Sequence, residues 1–293
     1  MTHPVYRNYD QQSLDAQYNN RARFPNFSEH FDRWAQWSQR AREQLPAQLD
    51  VAFGSSEKEK LDIFPAADAG APLYVFIHGG YWYSLDKSQY SFVAEGMRPH
   101  GITTAVTNFA LAPAADMDTI VEHNRRALAW LWNNATRFGA DPGRIYICGH
   151  SAGGHLGVML LGTEWARYGA GLPVDLVKGV CAIGGIFDME PIRLSYLNNT
   201  LHLDAAQAQR NCPLHQTYRY SAPLSLIVAA DESPEFQRQS RDMQAHWQSL
   251  GYPVELLVPA GLDHFNVVND LADPGCALVM HQLEQMKLAF KRN

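Results

Sequence analysis

The chain has 293 residues, of which 46% are hydrophobic and 18% charged, with a formal net charge of -6. That length and apolar fraction suit one large α/β domain with a well-buried core, and the acidic balance argues against nucleic acid or an anionic membrane surface as partner. No apolar run approaches the roughly 20 residues of a membrane span.

Residues 1–49 are polar and aromatic. The opening MTHPVYRNYDQQS lacks the apolar stretch of a secretory signal. A helix is predicted over 28–43, with Phe31, Trp34, Ala35 and Ser38 on one narrow face. Such a helix serves either to cover the mouth of a site or to close a sheet edge, and the sequence leaves both open. Residues 50–53 and 60–64 flank the polar stretch GSSEKE and predict a β-hairpin. LYVFIH at 73–78 is a continuous apolar run, as expected of a strand buried on both faces. A strand at 103–109 follows, then a long helix over 116–138, a turn at Asp141-Pro-Gly143, and the strand IYIC at 145–148. Further on come strands at 177–183, 224–230 and 254–258, a helix at 234–250 and a C-terminal helix from about Asn266. Residues 186–222 read as an irregular, lid-like segment with short helical stretches at 191–201 and 204–210. Strands alternating with helices predict a mostly parallel sheet of about eight strands, covered on both faces, in one domain spanning 1–293. The four cysteines are scattered, two of them (Cys148 and Cys181) in predicted strands. That fits reduced thiols and a cytoplasmic setting better than a disulfide framework.

The chemistry gathers where the strand at 145–148 runs into Gly149-His-Ser-Ala-Gly153 and a small-residue helix. This is the G-x-S-x-G elbow in its strand, turn, helix context, which projects Ser151 above the sheet edge. A serine hydroxyl needs a base to act as a nucleophile at neutral pH, and in this architecture an acid and then a histidine follow it in the chain. His264, in the loop after the last strand, is the histidine candidate. His155, one turn past the serine, is assigned to packing. His246 and His281 fall in predicted helices, and His202 and His215 stay open as substrate contacts. Asp231, ending a strand, is the preferred acid, with Glu232 as the close competitor because a one-residue shift of the strand end exchanges them. His78-Gly-Gly-Tyr-Trp82, after an apolar strand, supplies a loop whose amides at Gly80 and Tyr81, with that of Ala152, are candidates to hold a developing oxyanion. His78 is expected to brace this loop. Tyr81 and Trp82 are candidate substrate-pocket residues, with simple packing equally open. No cofactor is implied, and no spacing suits a metal: His150 and His155 are five apart, and there is no H-E-x-x-H.

The stretches HGGYW (78–82), GHSAGGHL (149–156), DESPEFQRQS (231–240) and DHF (263–265) resemble the α/β-hydrolase superfamily. Within it they look like the branch of arylformamidases (kynurenine formamidases) and related bacterial esterases. The hormone-sensitive-lipase-like branch instead tends to HGGG and GDSAGG, where this chain has Tyr81 and His150. The resemblance covers essentially residues 50–290. It implies hydrolysis of N-formyl-L-kynurenine, a similar aryl formamide or a small ester, with Ser151, Asp231 and His264 as the triad. Relatives of this size are often dimers, so a homodimer is an expectation. Two alternatives stay open: a general short-chain carboxylesterase unconnected with kynurenine, and a non-catalytic binding protein on the same fold.

Overall fold

The computed structural model describes residues 3–290. Its centre is one eight-stranded sheet: β1 (Gln48–Ala52), β2 (Lys60–Phe64), β3 (Ala71–Ile77), β4 (Thr103–Thr107), β5 (Ala140–His150), β6 (Val177–Ile183), β7 (Leu224–Ile227) and β8 (Val254–Leu257). The spatial order is β1-β2-β4-β3-β5-β6-β7-β8. β1 and β2 form the expected hairpin, and β2 joins β4 antiparallel; every other pairing is parallel.

Period-two alternation along the central strands divides the core into two layers. Leu73, Val75 and Ile77, with Ile145 and Ile147 beside them, face one layer, whereas Tyr74 and Phe76, with Tyr146 and Cys148, face the other. Six principal helices cover these faces: α1 (Gln11–Tyr18), α2 (Phe27–Gln44), α3 (Met117–Asn134), α4 (Ala152–Leu161), α5 (Pro234–Ser249) and α6 (Ala277–Phe290). Asp116 caps α3 through Thr119 N, and Ser233 caps α5 through Phe236 N, which fixes where each helix begins. Among the described residues no helix is long and apolar enough to cross a membrane.

Four expectations need adjustment. The Asp141-Pro-Gly143 turn survives only as a bulge inside β5, held by Gly143 N donating to Asp141 Oδ1 at 2.8 Å. β7 stops at Ile227 rather than at residue 230. The C-terminal segment starts as a 3₁₀ turn, Asn266–Ala272, and becomes an α-helix only after Pro274 and Gly275. In α2 the buried face is His30, Trp34, Ser38 and Ala41, so Ala35 is exposed and Phe31 half-buried.

The N-terminal segment does not close a sheet edge. Phe24, Phe27, Phe31, His30 and Trp34 all pack on Phe265, beside His264, with ring centroids 5.6–6.5 Å apart. Trp34 Nε1 donates to Asn269 Oδ1 at 2.8 Å. The irregular 186–222 segment is likewise tied down. Gln239 Oε1 accepts from the amides of Phe187 and Asp188, and Tyr6 donates to Asp188 Oδ2 at 2.7 Å.

Candidate active site

β5 delivers Ser151 to a tight corner. Its backbone sits at φ 56, ψ -118, a region that L residues occupy only under constraint, and its N–H is held by the Ile183 carbonyl of β6 at 2.7 Å. The corner is possible because the helix passes almost against strand β3. A Cβ at Gly153 would lie 2.0 Å from the Ile77 carbonyl oxygen, so only glycine fits there. The result is a serine, 2% exposed, at the N-terminus of α4.

His264 lies in the loop after β8, and its Nδ1 donates to Glu232 Oε2 at 2.8 Å. Both side chains are buried. The carboxylate paired with His264 is thus Glu232, the competitor, and not Asp231, the preferred acid. Because β7 ends three residues early, residues 229–232 form a turn in which Glu232 N returns to the Ala229 carbonyl. The turn leaves Asp231 exposed, its amide on the Leu262 carbonyl and its own carbonyl accepting from Arg23 Nε. Glu232 points inward, where Oε1 also accepts from Ala229 N at 3.3 Å. Gly184, at φ +54, makes room for the pair: a Cβ there would stand 3.0 Å from both Glu232 Oε1 and His264 Nδ1.

His150 secures the histidine loop from the other side, its Nε2–H donating to the His264 carbonyl at 2.8 Å. Burial, then the neighbouring His264, drive its pKa well below the ordinary range. His150 is thus a neutral brace, a role the sequence did not suggest.

The HGG loop occupies the facing wall. Gly80, Tyr81 and Trp82 run successively at φ 105, 49 and 60, and the Gly80 carbonyl accepts from the amides of Tyr83 and Ser84. No hydrogen bond within the described residues uses the amides of Gly80, Tyr81 or Ala152, which leaves three donors for a ligand oxygen. His78 braces the loop from beneath. Its ring stacks on Phe109 at 4.3 Å, with its nitrogens 2.8 Å from the Gly79 carbonyl and 3.0 Å from Asn108 Oδ1.

The two aromatic candidates separate. Tyr81 lines a small cleft that also contains Ser151, His264, His150 and Gly80. Trp82 does not serve as a pocket residue. It is fully buried, and its Nε1–H donates to His155 Nδ1 at 3.1 Å. Burial pushes the His155 imidazole down to about 4, so it stays neutral, and its Nε2–H donates to the Asn211 carbonyl at 2.7 Å. His155 and Trp82 therefore lock the HGG loop to the 186–222 segment. His202 is exposed, and His215 lies on a separate polar depression with Arg125 and Tyr168.

The N-terminal segment forms the roof of the cleft with Asn20, Arg21, Phe31 and Trp34. The Tyr18 carbonyl anchors it, accepting from Tyr81 Oη at 2.7 Å and from Tyr196 Oη at 3.3 Å.

The family model described as BD-FAE matches residues 61–193. The chain is similar to the kynurenine formamidase of Danio rerio, with 31% identity over 243 residues covering 80% of each chain. It is equally similar to that of Salmo salar, 31% over 265 residues and 88% of each. Among solved structures it superposes with a TM-score of 0.81 and 29% identity on a Silicibacter sp. TM1040 protein assigned provisionally as a thioesterase, covering 91% of this chain and 97% of that one.

Proposed function

Since the chain belongs to the α/β-hydrolase family that includes the kynurenine formamidases and is a hydrolase, we propose that it cleaves N-formyl aryl amides such as N-formyl-L-kynurenine through an acyl-enzyme on Ser151. The observation that carries this reading is the convergence on one cleft of Ser151 on its strained elbow, the His264–Glu232 pair and the unused amides of the HGG loop.

In this mechanism the Ser151 hydroxyl oxygen attacks the formyl carbonyl while His264 Nε2 accepts its proton. Glu232 holds Nδ1–H, which fixes the tautomer and stabilises the imidazolium. The carbonyl oxygen becomes an oxyanion facing the Gly80, Tyr81 and Ala152 amides, donors of a kind each worth roughly 10²–10³ in turnover. His264 then protonates the departing aryl amine, and the C–N bond breaks. Water, deprotonated by the same imidazole, releases formate and restores Ser151.

The test is a rate comparison of N-formyl-L-kynurenine with p-nitrophenyl acetate and butyrate, using Ser151→Ala as the blank. The expected result is kcat/KM for the formamide within the roughly 10⁴–10⁸ M⁻¹s⁻¹ range of physiological substrates. Turnover of the activated esters alone would overturn the formamidase assignment and leave a short-chain carboxylesterase.

A further inference from the structure

Two polar side chains in the roof of the cleft lack a polar partner among the described residues. Asn20 is 4% exposed, yet its Nδ2 amide finds no hydrogen-bond acceptor among the described residues. A buried donor left unpaired is costly, and natural proteins keep few of them. Beside it, the Arg21 guanidinium lies over the rings of Phe27 and Phe31, 5.3 and 5.8 Å from their centroids. Among the described residues no carboxylate stands within ion-pair distance of it. In contrast, Arg238, on the far side of α1, engages three carboxylates.

The backbone that carries the pair is tied down, with the Asn20 side chain buried and the Arg21 side chain exposed at the rim. The Tyr18 carbonyl is gripped by two tyrosine hydroxyls, Asn19 Oδ1 accepts from Ala22 N at 3.1 Å, and Arg23 Nε donates to the Asp231 carbonyl at 3.1 Å. Two aromatic faces fix the guanidinium without neutralising it. The Glu232 carboxylate beside His264 is already engaged by its Nδ1–H.

We propose that Asn20 and Arg21 form a carboxylate-binding subsite, so that the preferred substrates of the Ser151 centre carry a carboxylate in addition to the scissile carbonyl. The guanidinium supplies charge and a fork of N–H donors, and the Asn20 amide supplies one further donor. The inference rests on the acyl-transfer reading of Ser151 but does not require the acyl group to be formyl. Arg21 is the one Lys or Arg among the described residues that line the cleft, and the N-terminal segment brings it there.

The experiment measures the ratio of kcat/KM for a carboxylate-bearing substrate to that for its neutral counterpart in two pairs. One pair is N-formyl-L-kynurenine and its carboxamide; the other is mono-4-nitrophenyl succinate and 4-nitrophenyl butyrate. The wild-type protein is expected to favour the carboxylate in at least one pair, and added salt should erode the preference. Arg21→Met is expected to lower that ratio about 10–100-fold, mainly through KM, with Arg21→Lys restoring part of it. Misfolding would lower both substrates of a pair together and leave the ratio intact. A wild-type enzyme without preference in either pair, or an unchanged ratio in Arg21→Met, overturns the subsite. Failure of the formamide pair alone removes the formamidase assignment, while the ester pair still decides the subsite.

Discussion

Ser151→Ala is expected to lower kcat by about 10⁴–10⁶-fold while leaving the fold intact, as removal of a triad nucleophile does elsewhere. Two features make the prediction sharp. The side chain is small, so its loss leaves almost no cavity, and its hydroxyl is not among the bonds that hold the elbow. Those bonds run through the Ser151 amide and carbonyl, to Ile183 and to the first turn of α4. Alanine at φ 56 bears the same backbone strain as serine. The melting temperature should therefore stay within a few degrees of wild type while hydrolysis disappears, which thermal denaturation beside the kinetic assay will check.

The second large effect distinguishes two neighbouring carboxylates. Glu232→Gln is expected to cost about 10³–10⁴ in kcat. The amide is nearly isosteric, but its single oxygen cannot serve both Ala229 N–H and His264 Nδ1–H, and it carries no charge to stabilise the imidazolium. Asp231→Asn should change kcat by less than about 2-fold, because that side chain is exposed and only its backbone is engaged. A large loss in Asp231→Asn with none in Glu232→Gln would reverse the assignment.

That exchange shows where the sequence stops being informative. The order of serine, acid and histidine along the chain is set by topology and could be read from strand and helix patterns. Which of two adjacent acids turns inward depends on whether the strand ends at residue 227 or 230, and an apolar run through Val228, Ala229 and Ala230 hides that boundary. Gly184 carries the missing signal. A glycine with positive φ opposite the strand end leaves room for one carboxylate and one imidazole.

The sheet was legible for a simpler reason. Runs such as LYVFI at 73–77, buried on both faces, have few alternatives to a central parallel strand. The aromatic candidates were not resolvable in that way. Tyr81 and Trp82 are adjacent in sequence, yet one lines the cleft and the other donates to His155 in the core. Nor could the helix at 27–44 reveal its partner, since a stripe of Trp34 and Ser38 fits any apolar surface. The structure places it on Phe265, so that the roof and the histidine loop form one packed unit.

The most direct test of a Ser151 nucleophile activated by His264 and Glu232 is labelling with a fluorophosphonate followed by peptide mass mapping. The account predicts a single adduct, on the peptide containing Ser151, absent in Ser151→Ala and formed at least about 10²-fold more slowly in Glu232→Gln. An adduct on another residue, or hydrolysis that proceeds in protein that never labels, would contradict it.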